Sequence, residues 1–157
     1  MSSFAHVPLL RAMGKKSGLT IKEVLNRTNS QGRFDHKFSV DVETESGEVY
    51  EHTIVWHMSM RSPKPHNWQM SLLLHNIRFD CVDHEWTVQD HRGHKCQGWH
   101  RHIWDKTRDS CEEKKECLDG FGTHQTFSEF IQAGSAMLGI LLEEGSETDE
   151  SGYLQFD

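Results

Sequence analysis

The sequence predicts an α+β fold in which an antiparallel β-sheet of four to five strands packs against a C-terminal helix, with a short N-terminal helix. Three observations support this prediction. Apolar residues alternate with polar ones over residues 34–60, which indicates strands. They recur at helical spacing over residues 126–142, which indicates the C-terminal helix. They also recur at helical spacing in "GLTIKEVLNRT", which indicates the N-terminal helix. The length of 157 residues is typical of one domain.

The chain begins with a segment that has no regular period, so residues 1–18 are predicted to form an irregular arm. A short helix is predicted over residues 20–28. Thr20 is a suitable N-cap, and Glu23 follows three residues later, which is the capping-box spacing. This helix opens the predicted domain, residues 19–144.

The strands are predicted from period-two alternation. "FSVDVETESGEVYEHTIVW" reads as a hairpin that turns at "ESGE", and the prolines of "SPKP" end its second strand. "WQMSLLLHNIRFDCV" is strand-like, with a turn at His75–Asn76, and "GWHRHIWDK" forms the next strand. The strands are consecutive, which favours antiparallel neighbours.

Beyond Lys106 the charged "TRDSCEEKKECLDGFG" is predicted to be a solvated loop, with at most one helical turn at "CEEKKEC". Thr126 and Glu129 then form a second capping box before a helix that extends through Leu142. Residues 145–157 are acidic and lack a core-forming pattern, so we expect a flexible tail.

The charge is concentrated at the C-terminus. Six acidic residues and no lysine or arginine follow residue 142, so about −1 of the formal net charge of −7 belongs to the rest of the chain. Bulk charge therefore does not indicate a nucleic-acid binder. The apolar runs are too short for a membrane span, and no signal-peptide pattern opens the sequence, so we expect a cytoplasmic protein with reduced cysteines.

Histidine is the unusual component of this sequence. Nine of the twelve histidines lie between His52 and His102. On a strand, His100 and His102 project to one face, with Trp104 next along it, and Trp99 projects to the other face. Two adjacent imidazoles can bind a metal ion or transfer protons near neutral pH, but a solvated strand face is an equally simple interpretation.

The segment before this strand adds further potential metal ligands or acid–base groups: Asp80, Asp83, His84, Asp90, His91, His94 and Cys96. A divalent ion such as zinc takes three or four ligands of these types. The histidines predicted as ligands are His91, His94, His100 and His102. The sequence lacks C-x-x-C and H-E-x-x-H, so no standard zinc motif supports the prediction.

The order of "RFD", "DHEWTVQDHRGH" and "GWHRHIWD" resembles small prokaryotic proteins of the TumE toxin–antitoxin type and their relatives. These have an Arg-x-Asp strand, a histidine-rich turn and a His-x-His strand before a C-terminal helix. The resemblance covers about residues 38–142. It implies a compact α+β fold and a role in genetic conflict or antiviral defence, with RNA cleavage presumed. The matching residues are Arg78, Asp80, His84, His100 and His102.

Three functional hypotheses follow. The first is a ribonuclease in which histidines act as general acid and base and Arg78 or Arg101 stabilises phosphate charge. The second is a non-catalytic accessory or inhibitor protein whose acidic tail binds a basic protein, for which a cognate antitoxin or a larger complex is the expected partner. The third is a zinc-stabilised structural domain.

Overall fold

A computed structural model describes residues 7–28, 34–42, 53–60, 68–90, 92–106, 111–118, 121 and 126–144. The elements in chain order are α1 (Val7–Ala12), β1 (Lys15–Thr20), α2 (Ile21–Thr28), β2 (Phe34–Val42), β3 (Ile54–Met60), β4 (Trp68–Leu74), β5 (Ile77–Gln89), β6 (Lys95–Lys106), β7 (Cys111–Cys117), α3 (Phe127–Met137) and β8 (Ile140–Glu143).

The strands form one sheet in the order β7-β6-β5-β4-β3-β2-β1-β8. Neighbours from β1 to β7 are antiparallel, and β8 runs parallel to β1 after the chain has passed through α3. The α+β fold with a largely antiparallel sheet and a C-terminal helix is confirmed. The predicted number of four to five strands is wrong, because the described residues contain eight.

Local signals in the sequence place several element boundaries correctly. Thr20 and Glu23 exchange hydrogen bonds at the start of α2, and Thr126 and Glu129 do so at the start of α3. His75 and Asn76 both adopt positive φ angles, of 52° and 62°, in the turn between β4 and β5. This is the backbone conformation of the two-residue turns that match the twist of a hairpin.

The predicted irregular arm is replaced by structure from residue 7 onward, where α1 and β1 lie. Strand β1 was not predicted because one of its buried positions is occupied by a lysine, Lys15, which interrupts the apolar–polar alternation typical of a strand. This lysine is fully buried, and its Nζ donates to the carbonyls of Arg11, Met13 and Leu138. It therefore joins the ends of α1 and α3 through hydrogen bonds that a sequence pattern does not reveal.

Two predictions near the C-terminus are also corrected. "CEEKKEC" is the edge strand β7 rather than a loop, and its charged side chains, lysines among them, are typical of a protected sheet edge. The last helix ends at Met137, and Gly139 with a φ angle of 73° redirects the chain into β8. The predicted tail, residues 145–157, and the "ESGE" and "SPKP" segments lie outside the described residues.

The expectation of reduced cysteines is wrong for one pair, because Cys96 and Cys117 form a disulfide that links β6 to β7. Cys81 is a buried free cysteine. Disulfides persist mainly in oxidising compartments, so this bond weighs against the predicted cytoplasmic location. Within the described part of the chain, no helix is long and apolar enough to cross a membrane.

One face of the sheet carries the hydrophobic core. Trp56, Met70 and Trp99 point to this face, and α3 packs across it. Phe130 of α3 stacks on Trp99 at a centroid distance of 4.9 Å. A Cβ atom at Gly134 would lie 3.0 Å from the end of the Met70 side chain, so a larger residue there would require Met70 to shift by a few tenths of an ångström.

The opposite face carries two polar cross-strand rows. The first row consists of Asp35, Ser59, Gln69, Asp83, His100 and Cys117. The second row consists of Lys37, His57, Ser71, Cys81, His102 and Lys115. Because directly opposed residues on antiparallel strands share a face, the register of the sheet brings these side chains side by side.

Candidate metal centre

The centre is built on the adjacent strands β5 and β6. Asp83 lies directly opposite His100, and His102 follows two residues later on the same face. The prediction that the two histidines share a face is confirmed, since their ring centroids lie 4.4 Å apart. Strand pairing therefore places one carboxylate and two imidazoles together.

Three ligand atoms converge on one point. His100 Nε2 lies 2.6 Å from His102 Nε2 and 2.7 Å from Asp83 Oδ1. His102 Nε2 lies 3.4 Å from the same carboxylate oxygen. Each of the three residues offers one ligand atom, and these atoms all lie within 4.8 Å of one another. Among the described residues, this is the group that could hold a metal ion.

The three side chains are largely removed from solvent. His100 is 0% exposed and His102 is 7% exposed, while the Asp83 side chain keeps 17% of its surface accessible. Buried ionisable groups are stable only when they are neutral, paired or bound to a metal ion. The cluster therefore requires a cation, either a proton or a metal ion.

The Nδ1 atoms of His100 and His102 point away from the centre and have contacts of their own. His102 Nδ1 lies 2.7 Å from Glu113 Oε2, and His100 Nδ1 faces the Gly98 carbonyl oxygen at 3.5 Å. Glu113 Oε2 and Asp83 Oδ1 are both acceptors, so in the metal-free protein His102 Nδ1 donates to Glu113 and a proton on His100 Nε2 holds the 2.7 Å contact with Asp83. A metal ion would replace that proton and bind the lone pairs of the Nε2 atoms.

The electrostatics of the cluster favour a positive charge at its centre. Burial would raise the pKa of Asp83, but contacts with His100 and His102 outweigh this and lower the pKa well below its usual range. Burial would likewise lower the pKa of His102, yet the Asp83 and Glu113 carboxylates outweigh it and raise the pKa. Without a metal ion, protons supply the charge that the carboxylates attract.

Trp104 shields one side of the centre. Its ring stacks on His102 at 5.3 Å with an interplanar angle of 11°, as the strand pattern predicts. The Arg78 guanidinium lies 5.3 Å from the centre of the Trp104 ring. A bulge at Phe79 turns Arg78 to this face, where it contacts Trp104. The Trp104 ring therefore lies between Arg78 and His102, so Arg78 is not in the cluster of histidines with which it was predicted to act.

Two residues predicted to join the histidines lie on the other face of the sheet. Asp80 is fully buried and forms a two-pronged ion pair with Arg101, at 2.8 and 2.7 Å. The His84 ring packs edge-on against the Trp99 ring, with a centroid distance of 5.1 Å, on the face of the sheet that α3 covers. The expectation that Asp80 and His84 complete the cluster is therefore wrong, because alternation along β5 sends both away from it.

The remaining predicted ligands are not brought to the centre. His91 lies outside the described residues. His94 is exposed in the turn between β5 and β6, where its backbone N–H donates to Asp90 Oδ1 at 2.9 Å. Its side chain is not part of the converging group. Of the four predicted metal ligands, the structure brings together His100 and His102.

The sequence interpretation missed the roles of Asp83 and Glu113. Asp83 was one of several possible ligands, and only the register that pairs it with His100 singles it out. Glu113 stands in the segment predicted as a loop, because the charged residues of "CEEKKEC" show no apolar alternation that would indicate a strand. A strand prediction there would have placed acidic side chains beside the His-x-His strand.

Comparisons of the chain with known protein families, with curated proteins and with solved structures find no match. The resemblance to TumE-type proteins therefore stays a prediction, and the site must be interpreted from its own geometry.

Proposed function

We propose that this protein binds one divalent transition-metal ion, best suited to zinc, through Asp83, His100 and His102. The observation that carries the proposal is the convergence of two imidazole Nε2 atoms and one carboxylate oxygen at 2.6–3.4 Å in a buried position. Three electron-rich atoms at these distances repel one another unless a cation lies between them.

The ligand set matches zinc chemistry. Zinc takes histidine nitrogen and aspartate oxygen at about 2.0–2.2 Å in tetrahedral geometry, so its ligand atoms are about 3.3 Å apart. The contact between Asp83 and His102 already has this length. The two Nε2 atoms need to separate by about 0.7 Å, which small ring rotations provide.

The outer contacts also match those of metal sites. Histidine ligands usually donate their second ring N–H to a carboxylate or a backbone carbonyl, which fixes the ring and increases its basicity. Glu113 takes this role for His102, and the Gly98 carbonyl lies on the corresponding side of His100. Glu113 is therefore a positioning residue rather than a ligand.

The geometry gives less support to the ribonuclease hypothesis. Acid–base cleavage of a phosphodiester places the two catalytic groups on either side of the phosphate. Here the two Nε2 atoms are 2.6 Å apart and buried, which leaves no room for a phosphate between them. The partner-binding hypothesis rests on the acidic tail, which lies outside the described residues. Both hypotheses, and the role in genetic conflict, stay predictions.

Zinc titration of the metal-free full-length chain, followed by calorimetry, tests the proposal. We expect one zinc ion per chain and a free energy of unfolding raised by about 2.7 kcal/mol at a zinc concentration 100-fold above the Kd. Asp83→Ala and His102→Ala should abolish both effects. His84→Ala, on the opposite face, is the matched control and should bind zinc normally. Absence of zinc binding to the wild-type chain would overturn the proposal.

A further inference from the structure

The two outer strands of the sheet differ in how their edges are protected. At one end, β7 carries charged side chains that include Lys114 and Lys115. At the other end, β8 (Ile140–Glu143) holds three consecutive apolar residues and no lysine, arginine or proline. Charged side chains, lysine above all, and proline are the usual means by which proteins prevent pairing at a sheet edge. The β8 edge therefore lacks the protection that β7 has.

The backbone of β8 presents hydrogen-bonding groups along this edge. On the inner side of the strand, the Lys15 N–H donates to the Gly139 carbonyl at 2.8 Å. Alternate residues of a strand bond to the same neighbour, so Gly139 and Leu141 face β1. Ile140 and Leu142 therefore direct their N–H and C=O groups to the outer side. Among the described residues, β1 is the strand that pairs with β8.

The side chains at this edge combine exposed apolar surface with negative charge. Leu141 keeps 49% of its surface exposed, which is unusual for a large hydrophobic residue among the described ones. Glu143 and Glu144 follow it and are exposed. Six acidic residues and no lysine or arginine lie after residue 142. A strand added at this edge would place a side chain beside Leu141, next to a chain segment whose charged residues are all acidic.

We propose that the β8 edge binds an extended segment of a partner protein by strand addition, and that this segment carries both apolar and basic side chains. In strand addition, main-chain hydrogen bonds supply affinity and alternating side chains supply specificity. Ile140 and Leu142 provide the main-chain groups, and Leu141 provides the apolar contact. The proposal is independent of the proposed metal-binding function, because four strands separate β8 from the ligands on β5 and β6.

A second copy of this chain fits the edge less well than a basic segment does. Its β8 strand would offer the same backbone groups, but it also brings Glu143 and Glu144 and no compensating basic residue after residue 142. Each chain carries a formal net charge of −7, so two chains repel one another. Charge complementarity therefore favours a basic partner over self-association.

Fluorescence anisotropy with a labelled synthetic octapeptide that alternates valine with lysine tests the proposal on the full-length chain. An octapeptide that alternates valine with glutamate is the control and should not bind. Leu142→Pro removes an N–H that faces the outer side, which an edge strand tolerates, so binding of the basic peptide should weaken by about tenfold or more. Leu142→Val keeps this N–H and should bind the peptide within about twofold of the wild-type chain.

Leu141→Lys decides the question even if Leu142→Pro does not fold, because the side chain at this position is half exposed. A lysine there repels the basic peptide, so we expect binding to weaken by about fivefold. Unchanged binding by Leu141→Lys would show attraction to the acidic residues alone and would overturn the proposal. Absence of binding to the wild-type chain would overturn it as well. So would a wild-type dimer that Leu142→Pro converts to a monomer, because the edge would then bind a second copy.

Discussion

Two carboxylates on β5, the fully buried Asp80 and the half-buried Asp83, lie three residues apart and on opposite faces of the sheet. Asp80 faces the helix side, where Arg101 donates to both of its oxygens at 2.8 and 2.7 Å and the Cys81 backbone N–H donates to one of them at 3.1 Å. Asp83 faces the polar side, where its partners are His100 and His102 at Oδ1 and Gln69, whose Nε2 donates to Oδ2 at 3.4 Å.

The two clusters differ in the number of donors that the partners offer. A guanidinium carries five N–H groups and a permanent charge, so Asp80 is satisfied from within the chain. A neutral imidazole carries one N–H, which His102 directs to Glu113. The Asp80 pair is therefore complete by itself, whereas the Asp83 cluster needs an added positive charge, which a proton or a metal ion can supply.

The largest expected effect comes from breaking the complete pair. Arg101→Ala leaves the buried Asp80 carboxylate without its partner, so we expect the free energy of unfolding to fall by about 3–5 kcal/mol. Urea denaturation with and without zinc measures this change. The fall should be the same in both conditions, because Arg101 lies on the other face of the sheet from the proposed metal centre. A loss below about 1 kcal/mol would show that the pair contributes little.

A smaller effect is expected at the outer contact of the proposed metal centre. Glu113→Gln keeps the size of the side chain but removes the carboxylate that holds His102 Nδ1. We expect zinc affinity to fall by about 10–100-fold, which is about 1.4–2.7 kcal/mol of binding free energy. Competition with a zinc chelator measures it. Glu116→Gln, which faces away from the centre on the same strand, is the control. Equal affinities of the two variants would exclude positioning by Glu113.

The smallest expected effect is a pH dependence of the metal-free protein. The pKa of His102 is raised above its ordinary value of 6.5, so its charged form adds stability that is present below pH 6.5 and is lost as pH rises through the raised pKa. Zinc affinity should change in the opposite direction, because protons compete for His102.

Denaturation in the presence of a chelator, from about pH 6 to pH 9, follows the titration of His102. The stability advantage of the wild-type chain over His102→Gln should decline across this range. Taking this difference cancels the opposing contribution of Lys15, whose burial lowers its pKa to about 8 and which both proteins share. A profile that is unchanged in His102→Gln would assign the pH dependence to another group and contradict the electrostatic account of the cluster.

The fold was predictable where local chemistry determines it. The capping boxes at Thr20 and Thr126 and the turn at His75–Asn76 were correctly identified, because each depends on residues within four positions of one another. The strands β1 and β7 were missed for two reasons. Lys15 is buried through carbonyls that belong to α1 and α3, and β7 consists mainly of charged residues at a sheet edge.

The site was predictable only in part. The sequence by itself determined that His100 and His102 share a strand face with Trp104, because side chains on a strand alternate with a period of two. The tertiary structure decided which residues join them. Register selected Asp83 over Asp80 and His84, and the edge position of β7 supplied Glu113. A shift of one residue in strand pairing moves every side chain to the other face of the sheet. The periodicity of the sequence therefore shows which residues of one strand share a face, but the pairing of the strands decides which residues become their cross-strand neighbours.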